Sequence, residues 1–95
     1  MLEKEVERHL RTKVEQAGGM CLKFTSSTAG VPDRVVVLGD QTFFVELKAP
    51  GKKPRPLQLR VIEKMRERGA KVEVIDSKEG VDTLLSLLYN PSHGS

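Results

Sequence analysis

The stretch Gly30-Val31-Pro32-Asp33-Arg34-Val35-Val36-Val37-Leu38-Gly39-Asp40-Gln41-Thr42-Phe43-Phe44-Val45-Glu46-Leu47-Lys48 decides the fold, because it reads as two strands joined by a tight turn. Residues 35–38 are an apolar, β-branched run, residues 39–41 have turn composition, and residues 42–48 run back as a second strand. Side chains alternate faces along a strand, so Glu46 and Lys48 project from one face. Antiparallel pairing across the turn brings the start of the first strand beside the end of the second, and Asp33 with it. Two carboxylates and one ammonium at a sheet edge can bind a hard divalent cation and place a base beside it.

Outward from this hairpin, the pattern predicts three helices and two further strands. Leu2, Val6, Leu10, Val14 and Ala17 recur at helical spacing, and Gly18-Gly19 ends that helix. A strand runs from Met20 to about Thr25, and Ser26-Ser27-Thr28-Ala29-Gly30 forms a loop into the Pro-Asp strand. Residues 49–56 are a basic, proline-rich loop, with Pro56 suited to a first helical turn. Leu57, Val61, Ile62 and Met65 supply the buried face of a second helix, which Gly69 closes. Residues 71–75 form a fourth strand, and Ser77 caps a last helix with Val81, Leu84, Leu85 and Leu88 inside. The order is α-β-β-β-α-β-α. Two hairpin connections imply antiparallel neighbours, and the helix after Lys48 implies a right-handed parallel crossover. The expected fold is α/β, a mixed four-stranded sheet flanked by helices.

Ninety-five residues are enough for one domain, read here as residues 1–90 with 91–95 as a tail. Sixteen Lys and Arg against 13 Asp and Glu give a net charge of +3, which permits a nucleic-acid partner without demonstrating one. Lys48, Lys52, Lys53, Arg55 and Arg60 nevertheless gather next to the candidate site, where a phosphate backbone would pass. Four aromatic residues, none of them Trp, give little support to base stacking. One cysteine, Cys21, excludes an intrachain disulfide and a cysteine-based zinc site, and reads as a small buried apolar residue. His9 and His93 are too scattered for a zinc site or a histidine base, and both read as surface residues. Residues 2–5 do not resemble a signal peptide, and no apolar stretch approaches the ~20 residues a membrane-spanning helix needs. A cytoplasmic protein without a membrane partner is expected. No Walker pattern or dinucleotide fingerprint occurs, so no nucleotide cofactor is expected.

Pro32-Asp33, a spacer and Glu46-Leu47-Lys48 resemble the PD-(D/E)XK nuclease signature. More narrowly, Gly30-Val31-Pro32-Asp33-Arg34, Phe44-Val45-Glu46-Leu47-Lys48-Ala49-Pro50-Gly51 and Pro56-Leu57-Gln58 resemble the small stand-alone VRR-NUC domains of phages and bacteria. Val6-Glu7-Arg8-His9-Leu10 is also similar to the opening of archaeal Holliday junction resolvases. The resemblance runs from about Glu3 to the last helix. Pro-Asp with Glu-x-Lys alone is a weak pattern; joined to the Gln and the strand–helix context it becomes specific.

What the resemblance implies is a restriction-endonuclease-like core and a DNA endonuclease dependent on Mg²⁺ or Mn²⁺. Asp33 and Glu46, with the backbone carbonyl of Leu47, would hold the metal, and Lys48 would orient the attacking water and stabilise charge. Glu7 would be the helix carboxylate reaching the metal directly or through water, with Glu3 or Glu5 as alternatives on the same helix. Gln58 would support the site from the second helix. The implied substrate is branched DNA, such as a Holliday junction cut by a homodimer, whose twofold symmetry supplies two matching cuts. The alternatives are a less selective nickase or flap nuclease, or a catalytically silent DNA-binding module. Arg55-Pro56 departs from the family pattern, which often places Ser or Thr before the Leu-Gln.

Taken singly, each of these residues has an ordinary reading. Asp33 after Pro32 suits a turn, Glu46 and Lys48 suit a solvent-facing stripe, Glu7 and Gln58 suit helix surfaces, and Ser26, Ser27 and Thr28 suit a polar loop. Taken together they differ. A strand rich in Phe and Val, lying between other strands, has little room for two exposed charges beside a third.

Overall fold

The computed structural model describes residues 1–88, so the predicted tail, with His93, lies outside the described residues. The elements are α1 (Glu3–Gln16), β1 (Met20–Lys23), β2 (Arg34–Leu38), β3 (Gln41–Leu47), α2 (Pro56–Glu67), β4 (Val72–Ile75) and α3 (Lys78–Leu88). They form one four-stranded sheet in the order β1-β2-β3-β4. β1 with β2 and β2 with β3 are antiparallel, while β3 with β4 is parallel across α2. The predicted mixed sheet flanked by helices is thus the observed one.

One face of the sheet is covered by α1 and α3. Val6, Leu10 and Val14 of α1, Val36 and Leu38 of β2, Phe43, Val45 and Leu47 of β3, Ile75 and Val81 form a single buried cluster. The helical spacing of the α1 residues and the alternation along β2 and β3 each put one apolar stripe on this face, and burying it drives folding. Leu84, Leu85 and Leu88 pack against the cluster as partly buried residues, as the last helix's pattern predicts. Ser77 caps α3 by accepting the Gly80 N–H at 2.9 Å.

The opposite face carries α2. Ile62 is the one fully buried residue of that helix; Val61 and Met65 are half-buried, and Leu57 is 45% exposed. The expectation of a buried stripe through Leu57 is therefore corrected. α2 packs chiefly on β4, the edge strand of the sheet, so a narrow strip of it touches protein and the rest faces out. Leu2, predicted inside α1, is 57% exposed at the helix N-cap, where the chain enters the helix outside the sheet's cover.

The end of α1 shows why two glycines stand there. Gly19 N–H reaches the Val14 carbonyl at 2.9 Å and Gly18 N–H the Glu15 carbonyl at 3.0 Å, a Schellman closure. A β-carbon on Gly19 would lie 2.5 Å from the Val37 carbonyl oxygen and 2.5 Å from Leu38 Cδ1. The helix end is pressed directly onto β2. Gly19→Ala should therefore lower stability by about 1–3 kcal/mol through overpacking against backbone, read as a reduced denaturation midpoint with unchanged slope.

Candidate active site

Pro32 is fully buried and fixes the chain's direction immediately before Asp33. Gly30, at φ +89°, makes the loop's approach possible, since a β-carbon there would sit 3.0 Å from Val61 and 3.2 Å from Leu57 of α2. This loop rests against the start of α2 and delivers Asp33 to the sheet. The Asp33 carbonyl accepts the Phe24 N–H at 2.9 Å, and Phe24 packs edge-on against Phe44 with ring centroids 5.3 Å apart.

The β2–β3 register pairs Arg34 with Val45, so β3 extends beyond the first residue of β2. In that overhang the Leu47 N–H donates to Asp33 Oδ1 at 3.2 Å. A residue's N–H and C=O leave a strand on the same edge, so the Leu47 carbonyl faces the side on which Asp33 stands. Glu46 is 3% exposed, the one charged residue in the buried set among the described residues. Its Oε2 accepts from Lys48 Nζ at 3.1 Å and from Gln58 Nε2 at 3.0 Å. Its Oε1 is buried without a hydrogen-bond partner. A buried carboxylate oxygen left in this state is costly, and oxygen of this kind is what a hard cation replaces water to reach.

Gln58 serves two masters at the start of α2. Its amide nitrogen holds Glu46, and its Oε1 accepts the Arg55 N–H at 2.9 Å, closing the helix from within. Gln58 thus supplies the half of a capping box that reaches back to the N-cap N–H, while Arg55 supplies no side-chain cap of its own.

Burial raises the Glu46 carboxyl above its ordinary range; the Lys48 hydrogen bond opposes this, the Asp33 charge adds to it, the Lys48 charge opposes it again, and Glu3 adds a smaller push. Asp33, Glu46, Lys48 and Gln58 are therefore brought together. Glu7 of α1 faces basic side chains. Its carboxylate lies 3.8 Å from Arg34 Nε and 4.0 Å from Arg11 Nε, and among the described residues no three His, Cys, Asp or Glu side chains converge closely enough to hold a metal. The α1 carboxylate whose charge is felt at Glu46 is Glu3, one turn earlier. Its position on the helix gave no signal in the sequence beyond that shared by all three glutamates.

Of the basic residues, Arg55 is tied to the site through Gln58, and Arg60 is exposed along α2. Lys52 and Lys53 line a cavity of 610 Å³ with Pro54, Leu59, Arg66 and Val74, beside β4. Arg34, to which the motif alone assigns no role, donates from Nη1 to the Asp33 carbonyl at 2.8 Å. Cys21 is half-buried and packs against the core; its thiol is pushed up to about 11, first by burial and then by the Glu7 charge. His9, read as a free surface residue, is instead half-buried and joined to Asp82 at 2.7 Å, clasping α1 to α3. A distant carboxylate met only in three dimensions accounts for the difference. Ser26 accepts the Thr28 N–H at 3.0 Å and shapes its own loop.

Comparison with known proteins places the chain in a family. The VRR-NUC domain model matches residues 1–79. The chain belongs to the VRR-NUC family. It is 44% identical over 79 residues to a protein of Acyrthosiphon pisum secondary endosymbiont phage 1 named "Putative nuclease p44", covering 81% of this chain and 85% of that one. It also superposes on a solved VRR-NUC domain with a TM-score of 0.83 at 37% identity, covering 92% of this chain and 97% of the other. The VRR-NUC domain is a nuclease domain.

The raised Glu46 carboxyl sets a sign for stability. The native state holds the Glu46 proton more tightly than the unfolded chain does. Its favourable contribution is complete below the ordinary carboxylate range and is lost as pH rises through the raised value. In metal-free buffer, Glu46→Gln should therefore be at least as stable as the parent at neutral pH, the gap closing as pH falls below the ordinary glutamate range. Thermal melts of both proteins across that range read it directly.

Proposed function

We propose that this VRR-NUC domain is a divalent-metal-dependent endonuclease that hydrolyses DNA phosphodiester bonds, using Mg²⁺ or Mn²⁺. The observation that carries this reading is the partnerless, buried Oε1 of Glu46, set beside Asp33 in a site made of oxygen donors. Asp33, Glu46 and the Leu47 carbonyl would hold the cation, which when bound supplies Lewis-acid polarisation of the phosphate. Gln58 keeps the Glu46 carboxylate in one orientation, so the donor set is ready before a ligand arrives. Lys48, 3.1 Å from Glu46, places an ammonium where it orients the attacking water and stabilises the charge gathering on the phosphoryl oxygens. Lys52, Lys53, Arg55 and Arg60 would guide the phosphate backbone toward this edge of the sheet. The site of action would be the cytoplasm of a bacterial or phage-infected cell.

The substrate class proposed is branched DNA, cut by a homodimer. Met20 and Leu22 on β1, 56% and 43% exposed, adjoin Val37 on β2, and all three lie on the sheet face that carries the Glu46 site. A contiguous apolar face is uncommon on a lone small domain, and a second copy covering it would pair two sites.

Labelled four-way junction, flap and duplex DNA incubated with Mg²⁺, Mn²⁺ or EDTA tests the activity. Cleavage should require the metal, and Lys48→Ala and Asp33→Asn should each lower turnover by at least about a hundredfold while most DNA binding persists. Near-parental turnover in either variant would remove the site assignment. Light scattering should give twice the 10.6 kDa chain mass for the free protein, and two chains plus one junction for the complex. A monomer in both conditions, leaving single-strand nicks, would replace junction resolution with the nickase reading.

A further inference from the structure

Asp33 stands just past the end of regular pairing. The β1–β2 ladder ends at Lys23 with Arg34, and the β2–β3 ladder ends at Arg34 with Val45. The residues before it, 24–32, have no helix or strand of their own, and 25–29 are exposed. A carboxylate in such a position drifts unless its backbone is held, and small displacements of a metal-holding oxygen weaken the site.

Three contacts hold it here. Leu47 N–H fixes the carboxylate, Phe24 N–H fixes the carbonyl, and Arg34 Nη1 fixes the same carbonyl at 2.8 Å. The third differs from the others because it comes from a long side chain with many rotamers. Arg34 pairs with Val45, so it projects to the sheet face covered by α1, where Glu7 lies 3.8 Å from its Nε. The Glu7 and Arg34 side chains are each about one-fifth exposed (20% and 19%), which keeps solvent screening of their attraction low. A guanidinium presents several donors in a rigid plane, so one arginine can face a carboxylate through Nε and a carbonyl through Nη1 at once.

We propose that Glu7 and Arg34 form a brace that positions Asp33, so that Glu7 serves the site through Arg34 and is not itself a metal ligand. Glu7 orients the guanidinium; the guanidinium holds the Asp33 carbonyl; and α1 is thereby coupled to the active-site loop. Both are positioning residues. The inference rests on the metal-dependent reading above, and it assigns a role to Arg34 and a different role to Glu7.

The test is a double-mutant cycle in Mn²⁺ affinity, measured by titration calorimetry on protein free of DNA, with circular dichroism and thermal midpoints as fold controls. Glu7→Gln and Arg34→Met should each weaken Mn²⁺ binding by about tenfold, and the double variant should be no weaker than the worse single one. Arg34→Lys should fail to restore affinity, because one ammonium cannot bridge both partners. The proposal is overturned if Glu7→Gln costs as much affinity in the Arg34→Met background as in the parent, since Glu7 would then act on the metal by itself. It is equally overturned if Arg34→Met or Arg34→Lys binds Mn²⁺ like the parent. Should Arg34→Met not fold, the cycle is completed with Arg34→Lys. A parent protein that binds no Mn²⁺ would instead overturn the metal-dependent reading. The brace would then stand or fall on whether the same two substitutions are non-additive in thermal unfolding.

Discussion

The register of the β2–β3 hairpin, with Arg34 opposite Val45, sets where every charged group of the site lies. A slip of one residue would turn Glu46 and Lys48 into the face packed by α1 and expose Val45 and Leu47 in their place. The register is held because Val36, Leu38, Phe43, Val45 and Leu47 all bury on one side. It also leaves β3 running past the end of β2, and the unpaired Leu47 N–H in that overhang becomes the group that fixes the Asp33 carboxylate. A hydrophobic constraint thus produces a polar geometry.

What that geometry contains is a carboxylate kept in an unfavourable state. Glu46 is buried, near a second carboxylate, and satisfied on one oxygen only. Lys48 and Gln58 compensate in part. A wholly compensated Glu46 would be a structural ion pair with nothing to offer a cation, whereas the half-satisfied one keeps donor capacity in reserve. The apolar cluster lies on the other side of the sheet, apart from this charged set.

Helices α1 and α2 do different work for this site. Through Gln58, α2 joins its own N-terminal closure to the orientation of Glu46, so the helix start and the site form together. Through Glu7 and Arg34, α1 lies behind Asp33. The site is therefore gripped from both faces of one thin sheet. The elements that build the core thus also support the site.

Residue order alone determined the element order, the hairpin, the parallel crossover and the union of Asp33, Glu46 and Lys48. These follow from period-two alternation, turn chemistry and chain connectivity, which act over short spans of sequence. The helix caps at Gly18 and Ser77 were legible for the same reason. The tertiary structure alone decided which α1 glutamate faces which partner, since Glu3 and Glu7 lie one turn apart on one helical stripe and differ only in what the sheet sets against them. It decided that His9 meets Asp82, that Leu57 stays exposed on α2, and that Arg34 reaches back to the Asp33 carbonyl. Each depends on a meeting of elements distant along the chain or on the direction of a flexible side chain, and local periodicity carries no record of either.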